Sequence, residues 1–142
     1  MTSSISNSIV SAFVVSVLFL CACSHDQAWS VTSRELHKLA GTGAIDCGSI
    51  RLGTDKTAAL NCAQDAADNE KAYTLAYEVP GRDSQLILAV AHTVDDQYFV
   101  LKYDSAGWDP NSLKARDQLL GKLLVRSCIA PPSIDANSVS CK

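Results

Sequence analysis

Hydrophobic residues recur at helical spacing in two parts of the chain. Thr32 can cap a helix whose hydrophobic positions include Leu36, Leu39 and Ala40, and Gly41 follows as a residue typical of helix ends. A second helix is predicted from the turn at 53–55 to about residue 69, because small residues line one side of that segment. These residues are Ala59, Cys62, Ala63 and Ala66. Their small size lets this helix lie very close to the element on which it packs.

Three segments with the period of a β-strand follow. Residues 72–79 place Tyr73, Leu75, Tyr77 and Val79 on one face. Residues 84–93 are apolar on both faces, which predicts a central strand, and residues 98–103 predict a third strand. The connections at 80–81 and 94–97 are short, so we expect an antiparallel meander.

The remaining pattern completes the predicted fold. Residues 44–52 form a short strand or an extended arm, and residues 123–129 form the last strand. Between the strands, Asp109-Pro110 predicts the start of a short helix that carries Leu113, Asp117 and Leu120. The sum is an α+β domain with an antiparallel sheet of three to five strands and two or three helices packed on one face.

The N-terminal hydrophobic run, residues 9–20, has no charged residue. It is shorter than the roughly 20 residues that a membrane-spanning helix needs. It fits the hydrophobic region of a secretory signal, about 7–15 residues long. We therefore expect a signal peptide over 1–22, a tether over 23–30 and a single domain over 31–142.

The four residues that close this run, Leu20-Cys21-Ala22-Cys23, resemble the lipobox of bacterial lipoproteins. In that family the final cysteine of the motif is acylated and becomes the first residue, which here is Cys23. Ser24 at the following position resembles outer-membrane lipoproteins, so the resemblance implies an anchor in the outer membrane facing the periplasm. The alternative is an ordinary signal peptide cut near Ala22, which would give a secreted or periplasmic soluble protein.

Four cysteines remain downstream of Cys23, and an even number in an exported chain predicts two disulfides. Three connectivities are formally possible, and the spacing favours Cys47–Cys62 and Cys128–Cys141. Each such bridge closes a short loop and stabilises the fold by about 3 kcal/mol through loop-closure entropy. A zinc site is disfavoured, because no C-x-x-C pair or neighbouring histidine supplies the ligand spacing.

The layout of residues 47–141 is similar, more loosely, to small uncharacterised periplasmic lipoproteins of proteobacteria. The shared pattern is C-G-x-I at Cys47, a helical cysteine, a strand, D-S, then Y-D-S, C-x-x-P and a terminal cysteine. This resemblance implies an envelope protein with a disulfide framework and has no catalytic residues to carry over.

Charge excludes some partners. The chain has 12 Lys and Arg against 15 Asp and Glu, a formal net charge of −3, and the two signs are interspersed. No basic run predicts nucleic-acid binding, and no polybasic patch predicts binding to anionic lipid. We expect membrane attachment to come from the N-terminal lipid alone, and a protein or envelope component as the partner.

The best candidate for a binding surface is one end of the predicted sheet. Asp83-Ser84 enters the central strand and Asp104-Ser105 leaves the next one, and a hairpin turning near Asp95 would place Ser84 opposite Ser105. These residues could instead serve the turns, because Asp and Ser hydrogen-bond their own backbone at strand ends. Trp108 lies in the adjoining loop and is either a partner anchor or a buried lid.

The competing hypothesis is an enzyme centred on His92. With Asp95 and Asp96 this residue forms H-x-x-D-D, which could ligate a transition metal or provide acid–base chemistry. A histidine beside an acidic turn is more often simply solvated. No nucleophile elbow, P-loop or dinucleotide fingerprint occurs, and we assign no catalytic residue, metal ligand or cofactor. The sequence therefore favours a binding or accessory module, with a metal-dependent or hydrolytic periplasmic enzyme as the alternative.

Overall fold

The computed structural model describes residues 23–142, which form an α+β fold with two helices and a six-stranded, mainly antiparallel sheet. The helices are α1 (Cys23–Ala40) and α2 (Thr57–Asp68). The sheet strands are β1 (Ile45–Ile50), β2 (Tyr73–Pro80), β3 (Gln85–His92), β4 (Tyr98–Asp104), β5 (Asp117–Leu120) and β6 (Leu123–Cys128), in the spatial order β1-β2-β3-β4-β6-β5. A separate two-stranded hairpin consists of β7 (Ser133–Ile134) and β8 (Val139–Ser140).

The two helices pack on opposite faces of the sheet, so the expectation that they share one face is wrong. On the first face, the small residues Ala59, Ala63 and Ala66 of α2 pack against the alternating side chains of β2 that the sequence placed together. On the second face, α1 packs through Ala28 and Leu36 against the other set of strand residues. Both faces of β2 and β3 are buried, so each face needs its own covering layer.

The first helix is longer than the sequence predicted. The segment 23–30, expected as a tether, is helical and continuous with the rest of α1, and Trp29 within it is buried. Thr32 does not cap the helix; its hydroxyl donates a hydrogen bond to the carbonyl of Ala28, one turn earlier. The end of the helix at Ala40 is confirmed, with Gly41 in the left-handed region at a φ of 79°.

The segment 44–52 forms β1, an edge strand that pairs parallel to β2 through the intervening α2. This crossover departs from the expected antiparallel meander. The predicted disulfide Cys47–Cys62 is present, with the two Cα atoms 5.5 Å apart, and it ties β1 directly to α2. The bridge and the stripe of alanines together hold this helix close against the sheet.

The C-terminal hairpin of β7 and β8 covers the rest of the α2 face. The second predicted disulfide, Cys128–Cys141, is present with its Cα atoms 5.2 Å apart and joins β6 to this segment. The hydroxyl of Tyr77 donates to the carbonyl oxygens of Asp135 and Ser138, at 2.6 and 3.0 Å. The hairpin is therefore fastened at both a covalent and a hydrogen-bonded point.

The register of β3 and β4 differs by one residue from the predicted register. Gln85, not Ser84, lies opposite Ser105, because Thr93 closes the turn on Gln97 around a three-residue loop. Asp96 ends that loop in the left-handed region at a φ of 57°. Three-residue hairpin loops require such a residue at their last position, and the loop length sets the strand register.

The short helix predicted after Asp109 is replaced by a single 3-10 turn, Pro110–Ser112, and residues 117–120 form strand β5. Asp109 caps that turn by accepting a hydrogen bond from the backbone of Asn111. Asp117 pairs with Arg126 of β6 through two parallel hydrogen bonds, of which Nη2 to Oδ2 measures 2.8 Å. This cross-strand ion pair explains why an extended strand is favoured over a helix here.

The predicted signal peptide over 1–22 lies outside the described residues. Within residues 23–142, no helix is long and apolar enough to cross a membrane.

The Asp117–Arg126 pair predicts a pH-dependent contribution to stability. The hydrogen bond from Arg126 lowers the pKa of Asp117 from 3.8 to about 2, so the pair stabilises the fold above about pH 4 and loses this effect as the pH falls through 2. Asp117→Asn should lower the free energy of unfolding at pH 7 by about 1–3 kcal/mol. In urea denaturation the difference from wild type should shrink at about pH 2. An equal difference at both pH values would contradict this assignment.

Candidate functional site

The residues that the sequence proposed for partner binding lie at one end of the sheet. Pro80 pairs with Gln85 and Leu86 pairs with Asp104, so the β2–β3 turn and the end of β4 lie side by side. The turn contributes Asp83 and Ser84, and the exit of β4 contributes Asp104 and Ser105. We call this the D–S end of the sheet.

Several of these side chains serve local structure. The Asp104 carboxylate accepts a hydrogen bond from the backbone N–H of Ala106, which is ordinary turn chemistry. Ser84 lies against Gly81, where an added Cβ would be only 2.2 Å from the Ser84 carbonyl oxygen. Asp83 is exposed in the same turn. Asp104 and Ser84 therefore take part in local turn structure, and Asp83 stays exposed at the D–S end.

Trp108 is half-buried against the β5–β6 turn. Its indole Nε1 donates a hydrogen bond to the carbonyl of Lys122 at 3.0 Å, which holds the loop to the sheet. The ammonium group of Lys122 in turn donates to the carbonyl of Ser105. The loop, the turn and the exit of β4 thus form one connected polar rim.

A groove of about 530 Å³ lies next to this rim, between α1 and the sheet. Gln27 and Val31 of α1 form one wall, and Ser105 and Lys122 belong to the opposite side. The remaining lining residues are Gln85, Tyr103, Leu120 and Gly121. The volume lies within the range of about 300–1,000 Å³ typical of ligand pockets. Of the residues that the sequence singled out, only Ser105 lines the groove.

Gln85 is the most informative residue of this groove, and sequence reasoning missed it. Its backbone is fully engaged with Ser105, accepting from the Ser105 N–H at 3.0 Å and donating to the Ser105 hydroxyl at 2.8 Å. Its side-chain Nε2 is buried and has no hydrogen-bond partner among the described residues. A buried amide without a partner is costly, so a ligand acceptor at this point would be favoured. The only available signal was a polar residue opening an otherwise apolar strand.

His92 lies at the opposite end of β3 and is buried, not solvated as the sequence suggested. Its Nδ1 is 2.9 Å from the carbonyl oxygen of Lys71, and its Nε2 is 2.9 Å from Oδ1 of Asp96. The ring stacks on Tyr98 with 4.1 Å between centroids and meets the edge of Tyr73 at 5.7 Å. A neutral imidazole donates to one of these oxygens, and only the imidazolium form donates to both.

These contacts tie up the ring nitrogens that a metal-dependent or acid–base site would need. Asp96, rather than Asp95, is the carboxylate that reaches His92. Among residues 26–142, no group of three or more His, Cys, Asp or Glu side chains could hold a metal ion. His92 and its contacts therefore have a structural geometry that holds the start of the β3–β4 turn in place.

A second groove of about 430 Å³ lies beyond this cluster, between α2 and the C-terminal hairpin. Tyr73 and Tyr98 line its inner side, while Asn61 and Gln64 belong to α2. Burial raises the pKa of Tyr73 to about 12, so its hydroxyl remains protonated and can donate a hydrogen bond.

Comparison of the chain with protein-family models, with curated proteins and with solved structures finds no match.

The contact between His92 and Asp96 predicts that substitutions at two neighbouring aspartates differ in their effect on stability. Asp96→Gly keeps the left-handed turn residue but removes the oxygen that meets His92, and should lower the free energy of unfolding by about 1–2 kcal/mol. Asp95→Gly, in the same exposed turn, removes no contact with His92 and is the matched control. Chemical denaturation should separate the two variants, and the ring nitrogen shifts of His92 should change only in Asp96→Gly. Equal stability losses would show that the turn, and not the histidine contact, matters.

Proposed function

We propose that this chain is a lipid-anchored protein of the cell envelope that acts as a binding or accessory module through the groove at the D–S end. The observation that carries the proposal is the buried side-chain amide of Gln85, which has no hydrogen-bond partner among the described residues and belongs to the lining of a ligand-sized groove. An apolar surface with a few fixed polar groups is the usual composition of a binding pocket.

The two disulfides support an oxidising compartment. Bridges of this kind persist outside the cytosol and are rare within it. Together with the lipobox-like Leu20-Cys21-Ala22-Cys23, they are consistent with export followed by acylation of Cys23. Ser24 after this motif favours a location in the outer membrane, facing the periplasm.

The packing of α1 determines how close a lipid on Cys23 would hold the domain to the membrane. Ala28 and Trp29 are already buried on the sheet, so a lipid on Cys23 would be separated from the domain by only about 7.5 Å of helix. Gln27, which lies between Cys23 and Ala28 on the same helix, belongs to the groove wall. The groove would therefore lie near the membrane surface, where a membrane-associated protein or another envelope component is the available partner.

The lining of the groove fits binding better than catalysis. The hydroxyl of Ser105 accepts the backbone N–H of Gln85, and no histidine lies among the lining residues to act as its base. Gln85 and Lys122 instead offer hydrogen-bond donors beside Val31 and Leu120. This combination suits a partner group with a carbonyl or carboxylate next to an apolar portion.

Mass spectrometry of the membrane-extracted protein tests the proposed signal cleavage and lipid attachment. We expect a chain that begins at an acylated Cys23 and contains no free thiol, because the other four cysteines are bridged. Cys23→Ser should move the protein to the soluble envelope fraction. A retained Met1 would contradict the signal assignment, and an unmodified Cys23 with a soluble wild-type protein would favour the secreted alternative.

Site-directed photocrosslinking in cells tests the groove. A benzophenone residue at Gln27, in the groove wall, should give a light-dependent adduct. The same residue at His37, exposed near the other end of α1, should give none. Adding Gln85→Leu should reduce the adduct about tenfold if that amide contributes roughly 1.4 kcal/mol to binding. Adducts at both positions, or no effect of Gln85→Leu in a folded variant, would contradict the proposed site.

A further inference from the structure

A third groove, chemically different from the other two, lies at the other side of the sheet. It has a volume of about 300 Å³ and is lined in part by four cationic side chains, those of Lys114, Arg116, Arg126 and Lys142. No aspartate or glutamate is among its lining residues. We call it the basic groove. It is distinct from the groove at the D–S end and shares no residue with it.

The fold creates this charge cluster from separate parts of the chain. Lys114 and Arg116 precede β5, Arg126 lies on β6, and the disulfide Cys128–Cys141 brings Lys142 to the same place. Asp117 neutralises part of the charge, and its two hydrogen bonds also fix the direction of the Arg126 guanidinium. The cations are therefore gathered on a braced strand pair.

The neighbouring strand adds to the positive potential. Lys102 on β4 is half-buried, and burial together with the charges of Arg126 and Lys114 lowers its pKa. Only Asp117 acts in the opposite direction on Lys102. A local excess of positive charge thus exists in a chain whose formal net charge is −3. Such an excess favours an anionic partner.

The surroundings indicate which anionic partner fits. Ile129, which also lines the groove, is 77% exposed, more than any other large hydrophobic residue of the described chain. An exposed aliphatic side chain beside cations suits a protein segment with both acidic and apolar residues.

The position of the groove argues against the anchoring membrane as its partner. Cys128 pairs with Tyr98 at the end of the sheet opposite to the pair Leu123 and Tyr103, which lies near the D–S end. The basic groove therefore faces away from the beginning of α1.

We propose that the basic groove binds an acidic segment of a partner protein, whose carboxylates contact Lys114 and Arg116 while an apolar residue packs on Ile129. The segment lies where β6 extends beyond its pairing with β5, between residues 114–116 and Ile129. This site acts independently of the groove at the D–S end, and either can exist without the other.

Fluorescence anisotropy with a labelled peptide tests the proposal on the disulfide-intact protein. The probe is a glutamate-rich peptide of about ten residues with one central leucine, a length that spans an edge strand. The comparison peptide has glutamine in place of every glutamate. We expect the acidic peptide to bind and the neutral peptide to bind at least tenfold more weakly. Raising the ionic strength should weaken the acidic peptide's binding, because exposed charge pairs are screened.

Charge-reversal variants locate the binding. Lys114→Glu combined with Arg116→Glu should weaken the peptide at least tenfold, and Ile129→Ser should weaken it about threefold. Arg34→Glu, which reverses the charge of another exposed cation, on α1, is the control and should leave the affinity unchanged. Circular dichroism confirms that each variant is folded.

Three results of the peptide experiment and one result with lipid vesicles would contradict the proposal. The proposal is overturned if the acidic peptide does not bind, if the neutral peptide binds equally well, or if the double variant and Arg34→Glu have the same effect. Vesicles of anionic phospholipid provide the last comparison. If they bind with the same sensitivity to the double variant while the peptide does not, the partner is a lipid surface and the proposal is wrong. These results are independent of the crosslinking experiment at Gln27, which tests the groove at the D–S end.

Discussion

The fold depends on one constraint, which is that its central strands are buried on both faces. Every residue of β2 from Tyr73 to Val79 is buried, and β3 is buried from Ile87 to His92. Such strands cannot face water on either side, so a small domain must build two covering layers. One layer is α1, and the other is α2 together with the C-terminal hairpin.

The two layers are held by different means. On the α2 side, the contacting residues are small, and both disulfides lie on that side, joining β1 to α2 and β6 to the hairpin. On the α1 side no bridge is present in the described chain, and larger buried side chains such as Leu36 and Trp29 make the contact. The guanidinium of Arg51 lies 4.7 Å from the centre of the Trp29 ring and closes that layer at its edge. Within the described chain, the covalent links are thus confined to the α2 side.

The covering layers leave different surfaces at the two ends of the sheet. At the D–S end, the wall of α1 and the β5–β6 turn enclose a groove whose lining includes Gln85, with a side-chain amide that has no hydrogen-bond partner among the described residues. At the other end, His92 is held between Lys71 and Asp96, while Arg126 of β6 lies in the basic groove with Ile129 and three further cations. The two proposed binding surfaces therefore differ in chemistry. The same packing that covers the central strands determines where both of them lie.

The sequence by itself determined the elements whose signals are local. The periods of hydrophobicity predicted β2, β3, β4, β6 and α2 to within a few residues, and loop length predicted both disulfides. Only the tertiary structure decided which face each helix covers, because periodicity shows that a residue is buried but not what buries it. It also decided the extension of α1, the replacement of a helix by β5, and the one-residue shift that pairs Gln85 with Ser105. The extension of α1 and the formation of β5 depend on contacts between different elements, such as Trp29 with Arg51 and Asp117 with Arg126. The register shift depends on the three-residue turn at 94–96, whose length the hydrophobic pattern did not define.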